Sequence, residues 1–489
     1  MPALHAATTA AVLATLVALT PAAAQTPDLP FWTGQPDSAR FAALTAERLA
    51  AARKSWDKLL ATKGPRSVAN TLVPYDAIVG ELDAAGRQAT LIREVHPDPT
   101  VRGSAEAANQ AVSRFATELS LSRPVYDAVR AIDLKRADPE TRFYVEKTLR
   151  AFRLAGVDRD DATRAKVRAL RDRLVALQQA FERNIRDDVD TVLTTPAELD
   201  GLPADFIARH AAGPDGTVRL TTDYPDVFPV FTYSRSDSLR RRLTIAFENR
   251  AWPQNLPVLD SLLATRNELA TLLGFANWAD YVTADKMIGS GKNASDFIDK
   301  VVDASGTAAA REYAMLLRRK QQDVPDATGV NRWERRYWAQ VVQREQYNFD
   351  AQQARRYFAY DRVEQGMLDV AARIFGVTFR RVEGVPVWHP SVATFEMVEK
   401  GKVVGRFYFD MHPRAGKFNH AATFAVRTGT TSQIPEAALV CNLPGGVPGD
   451  PGLMEPDDVR TVFHEFGHLI HHLSASHHRW VGISGITTE

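Results

Sequence analysis

Cysteine is almost missing from this chain. Cys441 is the single one among 489 residues, which excludes an internal disulfide, a cysteine-rich metal cluster and a Cys-x-x-Cys redox site. Neither charge is in excess: 60 Lys and Arg stand against 59 Asp and Glu, a net charge of +1. Nothing in that balance draws the protein to polyanions, so nucleic acid and acidic membrane surfaces are poor expectations. Long apolar runs are lacking as well, the stretch 10–19 being too short to span a bilayer. No fixed-period repeat marks a solenoid. What is present is a globular composition, 45% apolar and 24% charged, in a chain long enough to be stabilised by burial.

Residues 1–24 read as a secretory signal. A short apolar run is followed by Pro21-Ala22-Ala23-Ala24 and Gln25, a small-residue cleavage pattern, although no Lys or Arg precedes it. The expectation is an exported protein, periplasmic or secreted, with no membrane association once the signal is removed.

Residues 25–250 form an N-terminal helical region, with amphipathic patterns at 41–60, 75–95, 140–154 and 161–185. The stretch 217–233, rich in Val, Thr, Tyr and Phe with prolines between, reads as short extended pieces. In the second region, 251–489, helical patterns continue at 258–273, 294–319, 333–349 and 363–375, after one at 238–251 that straddles the boundary. Alternating apolar and polar residues at 394–398 and 403–411, either side of Glu399-Lys400-Gly401-Lys402, predict a β-hairpin. A Gly/Pro-rich loop at 445–452 leads into one last helix. The fold class is therefore mainly α, with a small β-sheet beside a histidine-rich helix.

Six of the twelve histidines lie between His464 and His478. Their core is His464-Glu465-Phe466-Gly467-His468, an H-E-x-x-H pattern. Residues four apart on a helix face the same way, so both imidazoles can hold one ion, with Glu465 beside it to take a proton from an activated water. Pro456, Asp457 and Asp458 suit a helix start. Val459, Phe463, Phe466, Ile470 and Leu473 are expected to form the buried stripe. Gly467 costs about 1 kcal/mol in a helix interior, and a close approach by a neighbouring element or by substrate is the expected reason.

A third ligand is needed. His471 is about 10.5 Å along the axis from His464, too far to join one tetrahedral ion with both partners. The longer pattern H-E-x-x-H-x-x-G-x-x-H fails, with His471 and Ser474 at its Gly and final His positions. Downstream, the one carboxylate of the His₂Glu type is Glu489, 21 residues after His468 and close to thermolysin-like spacing.

The sequence resembles the thimet-oligopeptidase family of zinc metallopeptidases, which includes oligopeptidase A and bacterial peptidyl-dipeptidases. The resemblance rests on Thr461 through His468, on Phe407-Tyr408-Phe409-Asp410-Met411-His412-Pro413-Arg414-Ala415-Gly416-Lys417 with His420-Ala421, and on Ala438-Leu439-Val440-Cys441-Asn442. Arg266 to Ala270, Leu272 to Phe275, and Tyr357-Phe358 through Phe375-Gly376 also fit. It implies a large, two-lobed helical fold around a deep channel that admits short peptides, and one Zn²⁺ per molecule. It implies His464 and His468 as zinc ligands and Glu465 as the general base that deprotonates the attacking water. It further implies that the third ligand lies about five residues after Glu489, so that the sequence is truncated at its C-terminus and the third-ligand reading of Glu489 is the alternative. Arg414 and His420 are open to two readings, substrate residues lining the channel or, as such residues more often are, surface or structural ones. Residues 403–411 are open to two readings, a cleft-edge strand that pairs with substrate or a purely structural strand; Trp388 and His389 are expected to pack the sheet. The functional expectation is a zinc-dependent oligopeptidase, metalloendopeptidase or peptidyl-dipeptidase, acting as a monomer on short peptides. A non-catalytic peptide-binding protein is the alternative from another class, and a purely structural helical protein a third.

Overall fold

The computed structural model describes residues 30–447 and 449–485; the signal reading of 1–24 and the ligand reading of Glu489 lie outside the described residues. The first amphipathic patterns become α1 (Ser38–Ala61), α2 (Val73–Val95), α3 (Pro99–Ser120), α4 (Arg123–Arg130), α5 (Pro139–Ala155) and α6 (Asp161–Asp187). Four of them start on aspartates, Asp37, Asp98, Asp138 and Asp160, each accepting a first-turn N–H and so satisfying a donor the helix itself leaves open.

Next come β1 (Thr191–Thr194), α7 (Ala204–Arg209), β2 (Val218–Thr221) and α8 (Tyr224–Tyr233), with β1 and β2 antiparallel. The extended reading of 217–233 holds for β2 and is corrected after it. Pro225 sits in the first turn of α8, where its missing N–H costs nothing. Val227, Val230 and Tyr233 then reach the core at steps of three, and that burial outweighs local β preference. Helices α9 (Asp237–Glu248), α10 (Leu256–Leu272), α11 (Trp278–Thr283), α12 (Gly291–Asp323), α13 (Arg335–Gln346), α14 (Ala351–Arg355) and α15 (Tyr360–Phe375) follow. Among the described residues no helix is long and apolar enough to cross a membrane.

The larger sheet contains β3 (Thr378–Val382), β4 (Ala393–Glu399), β5 (Lys402–Asp410), β6 (Ala422–Arg427) and β7 (Glu436–Val440), in the order β3-β4-β5-β7-β6. The expected hairpin is β4 and β5. Its turn places Lys400 at φ 49° and Gly401 at φ 78°, the two left-handed positions that a two-residue hairpin turn requires. Strand β5 pairs with β4 on one side and, in parallel, with β7 on the other. That corrects the cleft-edge reading of 403–411: both hydrogen-bonding sides of β5 are used, so no peptide can add to it. The sheet's edges are β3 and β6.

The last helix, α16 (Pro456–Ala475), packs on one face of this sheet. Phe395, Phe407, Phe409 and Leu439 meet Met367 of α15 and Phe466, Leu469, Ile470 and Leu473 of α16. Each fully buried side chain of this kind contributes roughly 1.5–3 kcal/mol. Gly405 permits the contact, since a Cβ there would stand 3.1 Å from Leu473 Cδ2. Period-two alternation sends Tyr408, Ala438 and Val440 to the other face, against Trp32, Leu91 and Trp388. A third core, among α1 to α5, takes in Trp480 and Ile483 from beyond α16.

Candidate metal centre

Helix α16 begins with a reciprocal cap: the Glu455 N–H donates to Asp458 Oδ2 at 2.9 Å, and the Glu455 carboxylate caps the helix in return. Its buried stripe is Val462, Phe466, Leu469, Ile470 and Leu473. This corrects the expected stripe at one position. Val459 is half-buried against the core, but Phe463 is 39% exposed, because it turns with His464 away from the sheet.

His464 and His468 are exposed on that outer face. Their Nε2 atoms stand 3.1 Å apart with the rings at 84°. One ion with metal–nitrogen bonds of about 2.0–2.1 Å would span that gap at an angle of about 100°, near tetrahedral. The pair therefore fits two positions of a zinc-type site. Binding needs both imidazoles as the Nδ1–H tautomer; otherwise the same separation is filled by a hydrogen bond between them. Among the described residues no group of three metal-ligating side chains occurs.

Glu465, half-buried, points to the sheet edge. Its Oε2 accepts the Thr423 N–H of β6 at 3.0 Å, and its backbone oxygen accepts the Thr423 hydroxyl at 2.6 Å. The carboxylate is thereby oriented by an adjacent strand, one residue from the His464 imidazole. Further along, His472 is buried with Nε2 3.1 Å from the Arg427 oxygen. Burial pushes its pKa down, so it ties α16 to β6 as a neutral ring. His471 is exposed. At Gly467 a Cβ would meet nothing within 4 Å, so no neighbouring element among the described residues explains the glycine, and the space beside the two imidazoles is open.

The two substrate expectations fare differently. Arg414 donates to Asp410 Oδ1 and Oδ2 at 2.5 and 2.7 Å and to the Val95 oxygen at 2.5 Å, with its side chain 11% exposed. Asp410 also receives Lys417 at 2.9 Å and Trp388 Nε1 at 2.8 Å. The channel-lining reading of Arg414 is corrected in favour of the structural one, since both of its Nη atoms are engaged in a buried ion cluster under the sheet. Burial would raise the Asp410 carboxyl, yet Arg414, Lys417 and Trp388 outweigh it and hold the pKa below its ordinary value. His420 is exposed, two residues ahead of β6, and its Nδ1 bonds the Tyr224 hydroxyl.

Four contributors escape the sequence reading. Thr423 carries no pattern that marks it. Glu455, Arg355 and Tyr233 meet at the start of α16: Tyr233 donates to Glu455 Oε2, Arg355 Nε lies 2.9 Å from Oε1, and Arg355 also grips Asp205 at 3.1 and 2.9 Å. Burial pushes Glu455 up to about 7 and Asp458 up to about 6. Glu455 next to Pro456 is the one signal that could mark this group.

The chain is similar to known peptidases over most of its length. Saccharolysin of Saccharomyces cerevisiae is 27% identical over 483 residues, covering 93% of this chain and 67% of that protein. Thimet-like oligopeptidase of Dictyostelium discoideum is 26% identical over 452 residues, covering 87% and 67%. Oligopeptidase A of Salmonella typhimurium is 28% identical over 466 residues, covering 90% and 68%. The chain thus spans about two thirds of the length of these relatives. Residues 230–488, more than half of the sequence and including α16 with its histidine pair, match the family described as Peptidase family M3. By that match, this protein belongs to peptidase family M3.

Proposed function

We propose that the protein is a zinc-dependent oligopeptidase that hydrolyses peptide bonds of short peptides. The observation that carries the reading is the pair of Nε2 atoms 3.1 Å apart beside a carboxylate aligned by Thr423, inside a region matching a peptidase family. Bound there, a zinc ion supplies Lewis acidity, which makes water a nucleophile at neutral pH and polarises a carbonyl. His464 and His468 hold the ion. Glu465 accepts the proton of the attacking water and returns it to the leaving amine, as a positioned general base and acid. Strand β6, rather than β5, is the sheet edge that meets the site, and Thr423 keeps the Glu465 carboxylate aimed before substrate arrives. The third ligand is Glu489 or a residue after it. We include export of the protein in the proposal, to be checked by N-terminal sequencing of the mature form.

The test is hydrolysis of a fluorogenic short peptide with and without chelator, for the wild type and for Glu465→Gln. The proposal expects chelator-sensitive activity restored by zinc, and loss of turnover in Glu465→Gln with bound zinc retained. Hydrolysis that survives chelation, or persists in that variant, would overturn it. Loss of zinc in Glu489→Ala distinguishes the two ligand readings.

A further inference from the structure

Gly467 is given no reason by the described fold. It sits inside α16 with ordinary helical backbone, outside the left-handed region that favours glycine, so no turn requires it. A Cβ there meets nothing within 4 Å, so no packed neighbour requires it either. Glycine in a helix interior costs stability relative to alanine, and at this exposed position it runs against the helix's own preference.

Its place around the helix points to what it serves. An α-helix turns about 100° per residue, which puts Glu465 about 80° to one side of the His464–His468 pair and Gly467 about 80° to the other. The Glu465 flank is held by β6: Glu465 accepts the Thr423 N–H, and His472 is bonded to the Arg427 oxygen. The Gly467 flank is bare. Phe463, Gly467, His471 and Ser474 follow one another along it, all exposed, and Phe463, the large apolar side chain among them, is 39% exposed. The two imidazoles follow one another along the axis, so the two remaining positions of a tetrahedral site between them fall to either side. Water in reach of Glu465 takes the position on that residue's flank. The third protein ligand is left with the position over Gly467.

We propose that Gly467 is a positioning residue for the metal site: its missing side chain is the clearance in which the segment carrying the third zinc ligand packs against α16 and covers Phe463. The inference rests on the oligopeptidase reading and deepens it. A side chain at 467 holds that segment off the helix, and the ligand then stops short of the ion.

The test compares Gly467→Ala and Gly467→Leu with the wild-type chain in three measurements. These are zinc affinity by competition with a fluorescent chelator, stability of the metal-free protein in urea, and KM for a fluorogenic peptide at saturating zinc. Both substitutions improve helix propensity and meet no described neighbour, so the metal-free midpoints should equal or exceed that of the wild type. Zinc affinity should nevertheless fall, about tenfold or more in Gly467→Ala and further in Gly467→Leu, as overpacking of a closed contact implies. KM should stay within about twofold. Zinc affinity unchanged in both variants would overturn the proposal, as would a lowered metal-free midpoint in Gly467→Ala, which would assign the glycine to packing within the fold. A raised KM with zinc affinity intact would also overturn it, assigning the clearance to substrate. Failure of the wild type to bind zinc would sink the oligopeptidase reading and this inference with it, whereas zinc binding that ignores residue 467 sinks this inference alone.

Discussion

Replacing Arg414 by Met separates a substrate role from a structural one. The guanidinium makes three contacts of 2.5–2.7 Å, two to Asp410 and one to the Val95 oxygen. Truncating one partner of a buried ion pair costs about 3–5 kcal/mol, because the remaining charge is left in a poor solvent. Asp410 keeps Lys417 and Trp388 in the variant, which puts the charge penalty at the lower end. The orphaned Val95 carbonyl adds about 1 kcal/mol. The expected loss is about 3–4 kcal/mol, against a total stability of roughly 5–15 kcal/mol. Asp410→Ala should cost more, since both Lys417 and Arg414 then stay buried without a counter-ion. The assay is urea unfolding followed by tryptophan fluorescence. With m near 3 kcal/mol/M, Arg414→Met should lower the midpoint by about 1 M. Acid shows the same cluster from the other side: a carboxyl held below its ordinary pKa stabilises the fold above the unfolded value near 3.9 and loses that contribution as pH falls through the folded value. Asp410→Asn should therefore flatten the acid limb below about pH 4. An Arg414→Met protein with an unchanged midpoint and a raised KM would refute the reasoning and restore a substrate role.

Further outcomes follow from the same geometry. His464→Ala or His468→Ala should each weaken zinc binding at least tenfold, read by metal analysis after dialysis against a competing chelator. Glu455 and Asp458, raised to about 7 and about 6, keep protons in the folded state that the unfolded protein has released. Their contribution is therefore largest near pH 4 and falls as pH rises through 6 and 7, by on the order of 3 kcal/mol for each group. Glu455→Gln should reduce that slope in urea midpoints taken from pH 5 to 7.5. Gly482→Ala drives a Cβ into the Tyr144 ring, well inside van der Waals contact, and should cost about 1–3 kcal/mol through overpacking, seen as a lower melting temperature.

Local signals are the ones the sequence makes legible. The H-E-x-x-H pattern and the Lys400-Gly401 turn depend on neighbours within a few residues, and the structure places both where the pattern puts them. Pairings between distant segments are not legible. Whether β5 is an edge depends on β7, some thirty residues on, arriving in parallel beside it. Arg414 looks free in the sequence because Asp410, four residues back, falls on the same buried side only once Val95 of α2 closes over it. Tyr224 to Tyr233 reads as extended because its Val and Phe content favours strands in isolation, whereas packing with Leu239 and Leu243 of α9 selects the helix. Phe463 fits a buried helical stripe by its spacing, which periodicity cannot distinguish from the face one residue over.

The anchoring of α16 at both ends bears on how the protein is made. Its start is gripped by Tyr233, Arg355 and, through Arg355, Asp205. Its exit is gripped by Asp76 of α2, whose carboxylate accepts the Val481 and Gly482 N–H groups, with Trp480 on the Tyr144 ring. Those exit contacts join residues 405 and 406 positions apart, and pairings so remote form late, after much loop entropy has been lost. On a ribosome, the N-terminal helices can collapse early while both histidines are still unsynthesised. On the proposed function, metal capture would then come late, at two imidazoles set in place only after the N-terminal helices have packed.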